Sequence, residues 1–175
     1  MMNNVVIKNI IRFILLVLFQ VLVLDQVSLN SYIIPYGYLL FLLLLPFNTS
    51  RTALLLLAFA TGFTIDFFGN TLGLHTAAAV LMAFARPGVI KFYFKKIETL
   101  PQEEPGIKKL GLGGFTKYAF TLILIHHLFL FFVERFSFSH FFTTLEHLLV
   151  NSVASLILIL IILMLFAKRK RKKRL

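Results

Sequence analysis

The chain contains no cysteine and no tryptophan, and only 7 of its residues are acidic. Without cysteine there can be no disulfide, no thiolate metal site and no cysteine nucleophile. Glycine-rich phosphate loops and the G-x-S-x-G and H-E-x-x-H motifs are also missing from the sequence. We therefore expect a protein that is not an enzyme and that has neither a catalytic residue, a cofactor nor a metal site.

Hydrophobic residues are abundant instead: they make up 59% of the 175 residues, and the mean hydropathy is +0.89. Soluble domains are about 45–50% apolar. A chain of this size leaves much of its surface outside a single core, so the excess must be covered by something other than the protein itself. Lipid is the natural cover, and the composition predicts an all-α polytopic membrane protein.

Six apolar segments approach the length of about 20 residues that a spanning helix needs. They cover residues 7–24, 32–47, 52–68, 74–90, 117–133 and 148–167. The fourth is the least regular, because Arg86 and Pro87 interrupt it. We expect a single membrane domain, with a mobile cytoplasmic linker over residues 91–116 and a basic cytoplasmic tail over residues 168–175.

The distribution of lysine and arginine supports an even number of spans. With the N-terminus inside, the inner pieces are residues 1–12, 48–51, 86–117 and the tail after residue 167, and they hold 17 of the 18 basic residues. Basic residues concentrate on the cytoplasmic side of membrane proteins. Both termini are therefore expected in the cytoplasm. A net charge of +11 is compatible with binding to nucleic acid or to anionic lipid headgroups. Lipid headgroups are favoured here, because the basic tail directly follows an apolar segment.

Asp66 is an acidic residue within an apolar segment, and such residues are candidates for function. It continues a stripe of small residues, Ala58 and Gly62, at helical spacing, while His75, Ala79 and Ala83 share one face of the next segment. We predict an Asp66–His75 hydrogen bond that closes the hairpin between them. A proton relay or catalytic pair is the alternative, but it needs further polar steps that the sequence does not reveal.

Four more polar residues lie in apolar segments. His126 and His127 are adjacent, so they point about 100° apart on a helix and do not easily share a metal. One of them is expected to face a partner helix and the other lipid or a cavity. Asn151 and Ser155 lie one turn apart and are expected to bond to a neighbouring helix.

Between residues 35 and 87, a series of short motifs occurs in a characteristic order. They are Pro35-Tyr36-Gly37-Tyr38, Leu43-Leu44-Leu45-Pro46-Phe47, Arg51, Leu57-Ala58-Phe59-Ala60-Thr61-Gly62, Ile65-Asp66, Asn70-Thr71, Gly73-Leu74-His75, Ala77-Ala78-Ala79 and Ala85-Arg86-Pro87. This block resembles the rod shape-determining protein MreD family, in its Bacteroidota-type form. The resemblance implies shape-determining roles for Gly62, Asp66, Gly73, His75, Arg86 and Pro87, and it implies no catalytic residue.

The resemblance also implies a place and a set of partners. Members of the family lie in the bacterial cytoplasmic (inner) membrane and help to organise peptidoglycan synthesis during cell elongation. The implied direct partner is the bitopic protein MreC, and the wider complex contains MreB, RodZ, RodA and a class B penicillin-binding protein; membrane lipids are partners and nucleic acid is not. The implied fold is similar to the substrate-binding subunits of energy-coupling-factor transporters.

Two hypotheses follow from this resemblance. In the first, a scaffold docks the transmembrane helix of MreC against the stripe at residues 58–62 and the face at residues 77–83, so that Gly62→Leu or Ala79→Leu abolishes binding. In the second, the chain is a small-molecule (vitamin-type) binding subunit of a membrane transporter, with Asp66 and His75 lining a cavity. The transporter subunit would need an energising ATPase, whereas the scaffold needs a bitopic partner.

Overall fold

The computed structural model describes residues 2–26, 33–95, 98, 100, 102–135 and 141–166. Within these ranges the chain is helical and contains no strand. The helices are α1 (Met2–Phe19), continued by a π-helical turn (Gln20–Leu24), α2 (Leu39–Leu43), α3 (Arg51–Gly69), α4 (Leu74–Tyr93), α5 (Ile107–Arg135) and α6 (Phe141–Leu165). The predicted all-α class is therefore confirmed, whereas the basic tail after residue 167 lies outside the described residues.

Four helical stretches are long and apolar enough to cross a membrane: Val5–Leu24, Arg51–Gly69, Ile107–Val133 and Phe141–Leu165. They include the predicted spans at 7–24, 52–68 and 117–133 and most of the one at 148–167. The last two begin earlier than predicted, because residues 107–110, 112–116 and 141–147 are already helical, with a break in the helix at Gly111. The protein is thus an all-helical membrane protein with four clear candidate spans.

The prediction of a spanning helix over residues 32–47 is wrong. Only Leu39–Leu43 is helical there, and residues 33–38 form extended backbone and a turn. Proline explains part of the difference, because Pro35 has no N–H to donate and disfavours a helical residue before it. We call residues 33–47 the central segment, since Tyr38–Leu45 are at most 5% exposed.

The fourth predicted span is a continuous helix of 20 residues, α4, which runs through Pro87. At about 1.5 Å per residue this helix is about 30 Å long, which is enough to cross the hydrocarbon layer. Helix α4 contains polar residues such as His75 and Arg86, and it is not one of the four apolar candidate spans. Length therefore allows α4 to cross the membrane.

Part of the predicted mobile linker over residues 91–116 is helical. Helix α4 continues to Tyr93, α5 starts at Ile107 and is kinked at Gly111, where φ is 70°. Between them, Glu104 accepts hydrogen bonds from Lys8 Nζ (2.8 Å) and Arg12 Nη2 (3.0 Å). The charges of α1 hold this loop against the bundle, which the polar composition of the loop did not predict.

The helices pack in chain order, α3 on α4, α4 on α5 and α5 on α6, while α1 contacts α2 and α3. One end of the bundle, which we call the basic end, brings together Lys8, Arg12 and the loop at Glu104 with the turn that precedes Arg51. The opposite end, the hairpin end, contains the α3–α4 turn at residues 70–73. The charge pattern predicts that the basic segments lie on one side of the membrane. The described residues of these segments do lie together at the basic end.

Candidate functional site

At the hairpin end, the Asp66 carboxylate of α3 caps the first turn of α4. Its Oδ1 accepts from His75 N (3.0 Å) and Thr71 Oγ1 (2.5 Å), and its Oδ2 accepts from Thr76 N (2.8 Å) and Thr76 Oγ1 (2.5 Å). Nδ1 of His75 lies 3.1 Å from Oδ1. The predicted Asp66–His75 hydrogen bond is confirmed, and the carboxylate also satisfies helix N–H groups that otherwise have no partner.

The turn that allows this cap depends on backbone conformations with positive φ. Asn70 ends α3 at φ 52°, and Gly73 precedes α4 at φ 84°. Glycine adopts such angles without strain, and it also leaves the N-cap position of α4 without a side chain. Asp66 supplies from α3 the cap that Gly73 cannot, so the two residues together define the turn between α3 and α4.

Gly62 is the point of closest approach between α3 and α4. A Cβ added there would lie 2.4 Å from Thr76 Cα and 2.7 Å from His75 O. Ala58, Ala79 and Ala83 are fully buried as well. These four small residues therefore face this chain's own helices, and the hypothesis that they dock a partner helix does not fit the structure.

Arg86 is buried next to the end of the central segment. Its Nε donates to Tyr118 Oη (2.8 Å), its Nη2 donates to the Leu45 carbonyl, and Tyr118 Oη donates to the Leu43 carbonyl (3.0 Å). Leu43 is the last residue of the short helix α2, and Leu45 follows it closely. A positive charge is favourable at this C-terminal end of a helix, where carbonyl groups lack helical partners. Among the described residues Arg86 forms no salt bridge, so its charge is balanced by backbone and hydroxyl dipoles.

The start of the central segment is held by side chains from two helices. Asn151 Oδ1 accepts from Ile34 N (2.8 Å) and Ser155 Oγ accepts from Tyr36 N (2.8 Å), both from α6. From the π turn, Gln20 Oε1 accepts from Gly37 N (2.8 Å). Non-helical backbone is tolerated at membrane depth only where the protein satisfies it. The polar residues of α6 do bond outside their helix, but to irregular backbone instead of the expected helix.

Five rings form a buried cluster between the cap and the central segment: Tyr36, Tyr38, His75, His126 and His127, whose closest centroids are 5.2–6.3 Å apart. Tyr38 Oη lies 2.7 Å from His126 Nε2, and His127 Nδ1 lies 2.9 Å from the Ile123 carbonyl. Both adjacent histidines are fully buried, so the expectation that one faces lipid or a cavity is wrong.

The sequence interpretation missed the tyrosines of this cluster. Tyr38 and His126 are 88 positions apart, and nothing local connects them. The available signal was a pair of tyrosines beside Pro35 and Gly37 inside an apolar segment, where a hydroxyl needs a buried partner. Within the described residues no group of three or more His, Asp or Glu side chains is placed to hold a metal ion.

The geometry therefore describes a network whose hydrogen bonds go mainly to backbone: Asp66 to the start of α4, Arg86 and Tyr118 to the end of α2, and Asn151, Ser155 and Gln20 to the start of the central segment. Such a network fixes the position of a segment that has no helix of its own to satisfy it. No protein-family model matches the chain, and neither a curated protein nor a solved structure matches it.

Proposed function

We propose that this protein is a non-catalytic component of the bacterial cell-wall elongation complex, similar to MreD, in the cytoplasmic membrane. In this role it binds the bitopic protein MreC and helps to organise peptidoglycan synthesis, within a complex that includes MreB, RodZ, RodA and a class B penicillin-binding protein. The observation that carries the proposal is the motif block at residues 35–87. Its polar members Asp66 and Arg86 bind this chain's own backbone, which supports a structural and not a catalytic use of these positions.

The proposed topology has six passes with both termini in the cytoplasm. Four passes are the apolar helices. The fifth is α4, whose Arg86 is only 1% exposed and so is shielded from lipid. The sixth is the central segment, which starts beside Gln20 and Ser155 and ends where Arg12 Nη1 approaches the Leu44 carbonyl (3.5 Å) at the basic end.

The small residues of α3 and α4 are buried within this chain, so a partner helix must bind a different surface that remains exposed. Helix α3 presents Phe59, Phe63 and Phe67 one turn apart, with 51–69% of each side chain exposed. The rings of Phe59 and Phe63 are stacked 5.9 Å apart. We place the MreC helix on this face, since helices in lipid associate through van der Waals packing and these rings offer a large contact surface.

The docking face is tested by co-purification of the partner from membranes. Phe59→Ala with Phe63→Ala should reduce recovery of MreC, whereas Val153→Ala with Ile157→Ala, on the exposed face of α6, should not. Equal recovery with both double variants would remove the α3 face from the proposal.

The function itself is tested by depleting the protein in its host and measuring cell aspect ratio over a few generations. Rounding and swelling that added vitamins do not reverse would support the role in wall elongation. Cells that keep their shape, but stop growing until a vitamin is supplied, would favour the alternative, a small-molecule (vitamin-type) binding subunit of a membrane transporter.

A further inference from the structure

A lateral groove separates the first half of α1 from the first half of α3 and opens toward the basic end. Its volume is about 520 Å³, and its apolar walls include Val6, Ile10 and Leu57, with Phe41 and Leu45 of the central segment as its floor. Val6 and Ile10 are more than half exposed, so the groove is open to the surrounding lipid. It lies apart from the buried network around Asp66 and from the exposed phenylalanines of α3.

The mouth of the groove at the basic end is polar. Asn9, Asn48, Thr49 and Gln102 line it. Arg12 Nη1 donates to Asn9 Oδ1 (3.1 Å), which leaves the amide nitrogen of Asn9 as a hydrogen-bond donor. The site is thus amphipathic: one end offers amide and hydroxyl groups, and the rest accepts only hydrocarbon.

The charge around this mouth is positive. Lys8 and Arg12 share one carboxylate, that of Glu104. Arg51, two residues after Thr49, is exposed and has no salt bridge among the described residues. On the cytoplasmic side, where the proposed topology puts the basic end, basic pockets between membrane helices are sites for anionic headgroups.

From this combination we infer that the groove binds one acyl chain of an anionic phospholipid, with the phosphate at the mouth near Asn9, Asn48 and Arg51. The volume lies within the usual range of small-molecule sites, about 300–1,000 Å³. A spanning helix about 30 Å long and 10 Å wide is too large to enter such a groove. The apolar walls select the chain, and the excess of cations selects a negative headgroup over a zwitterionic one. This inference rests on the proposed topology, which puts the basic end in the cytoplasm, and not on the proposed role in wall synthesis.

The test is native mass spectrometry of the full-length protein released from vesicles that contain equal amounts of phosphatidylglycerol and phosphatidylcholine. The wild-type protein should retain phosphatidylglycerol preferentially. Ala60→Trp should abolish this retention, because Ala60 lines the groove from an exposed position on α3 where a larger side chain fills the groove and not the core. Val153→Trp, at an exposed position of α6, is the matched control.

The charge component is tested separately with Arg51→Gln, which should lower retention of phosphatidylglycerol about fivefold, since each basic residue near a headgroup contributes about 1 kcal/mol. Lys108→Gln, at an exposed position of the first turn of α5, removes a charge from the same end and should change retention little. Equal retention of the two lipids, or unchanged retention by Ala60→Trp, would overturn the inference. So would a photo-crosslinker at position 60 that captured a second copy or another protein instead of lipid.

Discussion

At the scale of single residues, the carboxylate of Asp66 alone caps the first turn of α4, whereas other helices are capped by a side chain at their own N-terminus. It accepts hydrogen bonds from the backbone N–H groups of His75 and Thr76 and from the Thr76 hydroxyl at the start of α4, and from the Thr71 hydroxyl in the turn before it; the His75 imidazole nitrogen lies within hydrogen-bond distance as well. Ionised acceptors make stronger hydrogen bonds than neutral ones. The negative charge also lies at the positive end of the α4 dipole, so both effects stabilise the hairpin.

Asp66→Asn should therefore lower the stability of the folded protein without preventing membrane insertion. An amide presents a donor where the carboxylate has an acceptor, so at least one N–H of α4 is left without a partner, at a cost of about 1–3 kcal/mol. Thermal unfolding of the purified protein in detergent measures this loss. Thr64→Val is the matched control, because the Thr64 hydroxyl bonds only to the Ala60 carbonyl of its own helix. An Asp66→Asn variant as stable as Thr64→Val would refute the capping role.

Two glycines allow a second comparison at this scale. Gly62→Ala places a methyl group against the backbone of Thr76, so α3 and α4 must separate, and we expect a destabilisation of about 1–3 kcal/mol. Gly88→Ala meets nothing within 4 Å in helix α4 and should be neutral or stabilising by about 0.5–1 kcal/mol, because glycine weakens helices. The measurement is the same unfolding assay, and equal effects of the two substitutions would contradict the close approach at Gly62.

At the scale of elements, the central segment is the unusual part of the molecule. Its residues are apolar enough to form a helix, yet only Leu39–Leu43 do so. Helices α4, α5 and α6 and the π turn each contribute polar groups that bind its backbone. The buried polar residues Gln20, Arg86, Asn151 and Ser155 are therefore explained by the needs of this segment, and the helices around it keep it away from lipid.

Two serines of α6 test this explanation. Ser155→Ala removes the acceptor of Tyr36 N–H and should destabilise the protein by about 1–3 kcal/mol, with faster amide hydrogen exchange over residues 34–38. Ser152→Ala should have little effect on either measurement, because the buried Ser152 hydroxyl has no hydrogen-bond partner among the described residues. Similar exchange in both variants would mean that the serine does not hold the segment.

At the scale of the whole molecule, the lengths and compositions of the helices set the number of times the chain can cross the membrane. Four helices qualify by length and composition, whereas α4 qualifies by length and hides Arg86 inside the bundle. Placing α4 across the membrane puts the loop at Glu104 on the same side as Lys8 and Arg12, which bond to it. The ion pairs are thus consistent with a crossing by α4.

Single cysteines can test this arrangement directly, since the chain has none of its own. Leu72→Cys lies at the fully exposed tip of the hairpin turn, while Asn48→Cys and Lys108→Cys occupy exposed positions at the basic end. A membrane-impermeant maleimide should label Leu72→Cys from one side of sealed vesicles and the other two variants from the opposite side. Labelling of Leu72→Cys and Lys108→Cys from the same side would show that α4 does not cross.

Much of the architecture follows from local sequence. Helices α1, α3, α5 and α6 were predicted because long apolar segments form helices in lipid, where each backbone group must find a partner. The Asp66–His75 bond was predicted because a short turn brings two nearby positions together. The grouping of the basic pieces followed from charge alone.

Two features were decided only by the tertiary structure. The sequence does not show which helix the small residues Ala58, Gly62 and Ala79 contact. A stripe of small residues permits close packing equally well against a helix of the same chain and against a partner helix. The conformation of the central segment depended on Asn151 and Ser155, which lie more than a hundred residues away in the chain. The sequence by itself determined which segments are apolar and which charges lie together, since these are local properties. Whether an apolar segment becomes a helix or irregular backbone was decided in the folded protein, where distant side chains satisfied its N–H and carbonyl groups.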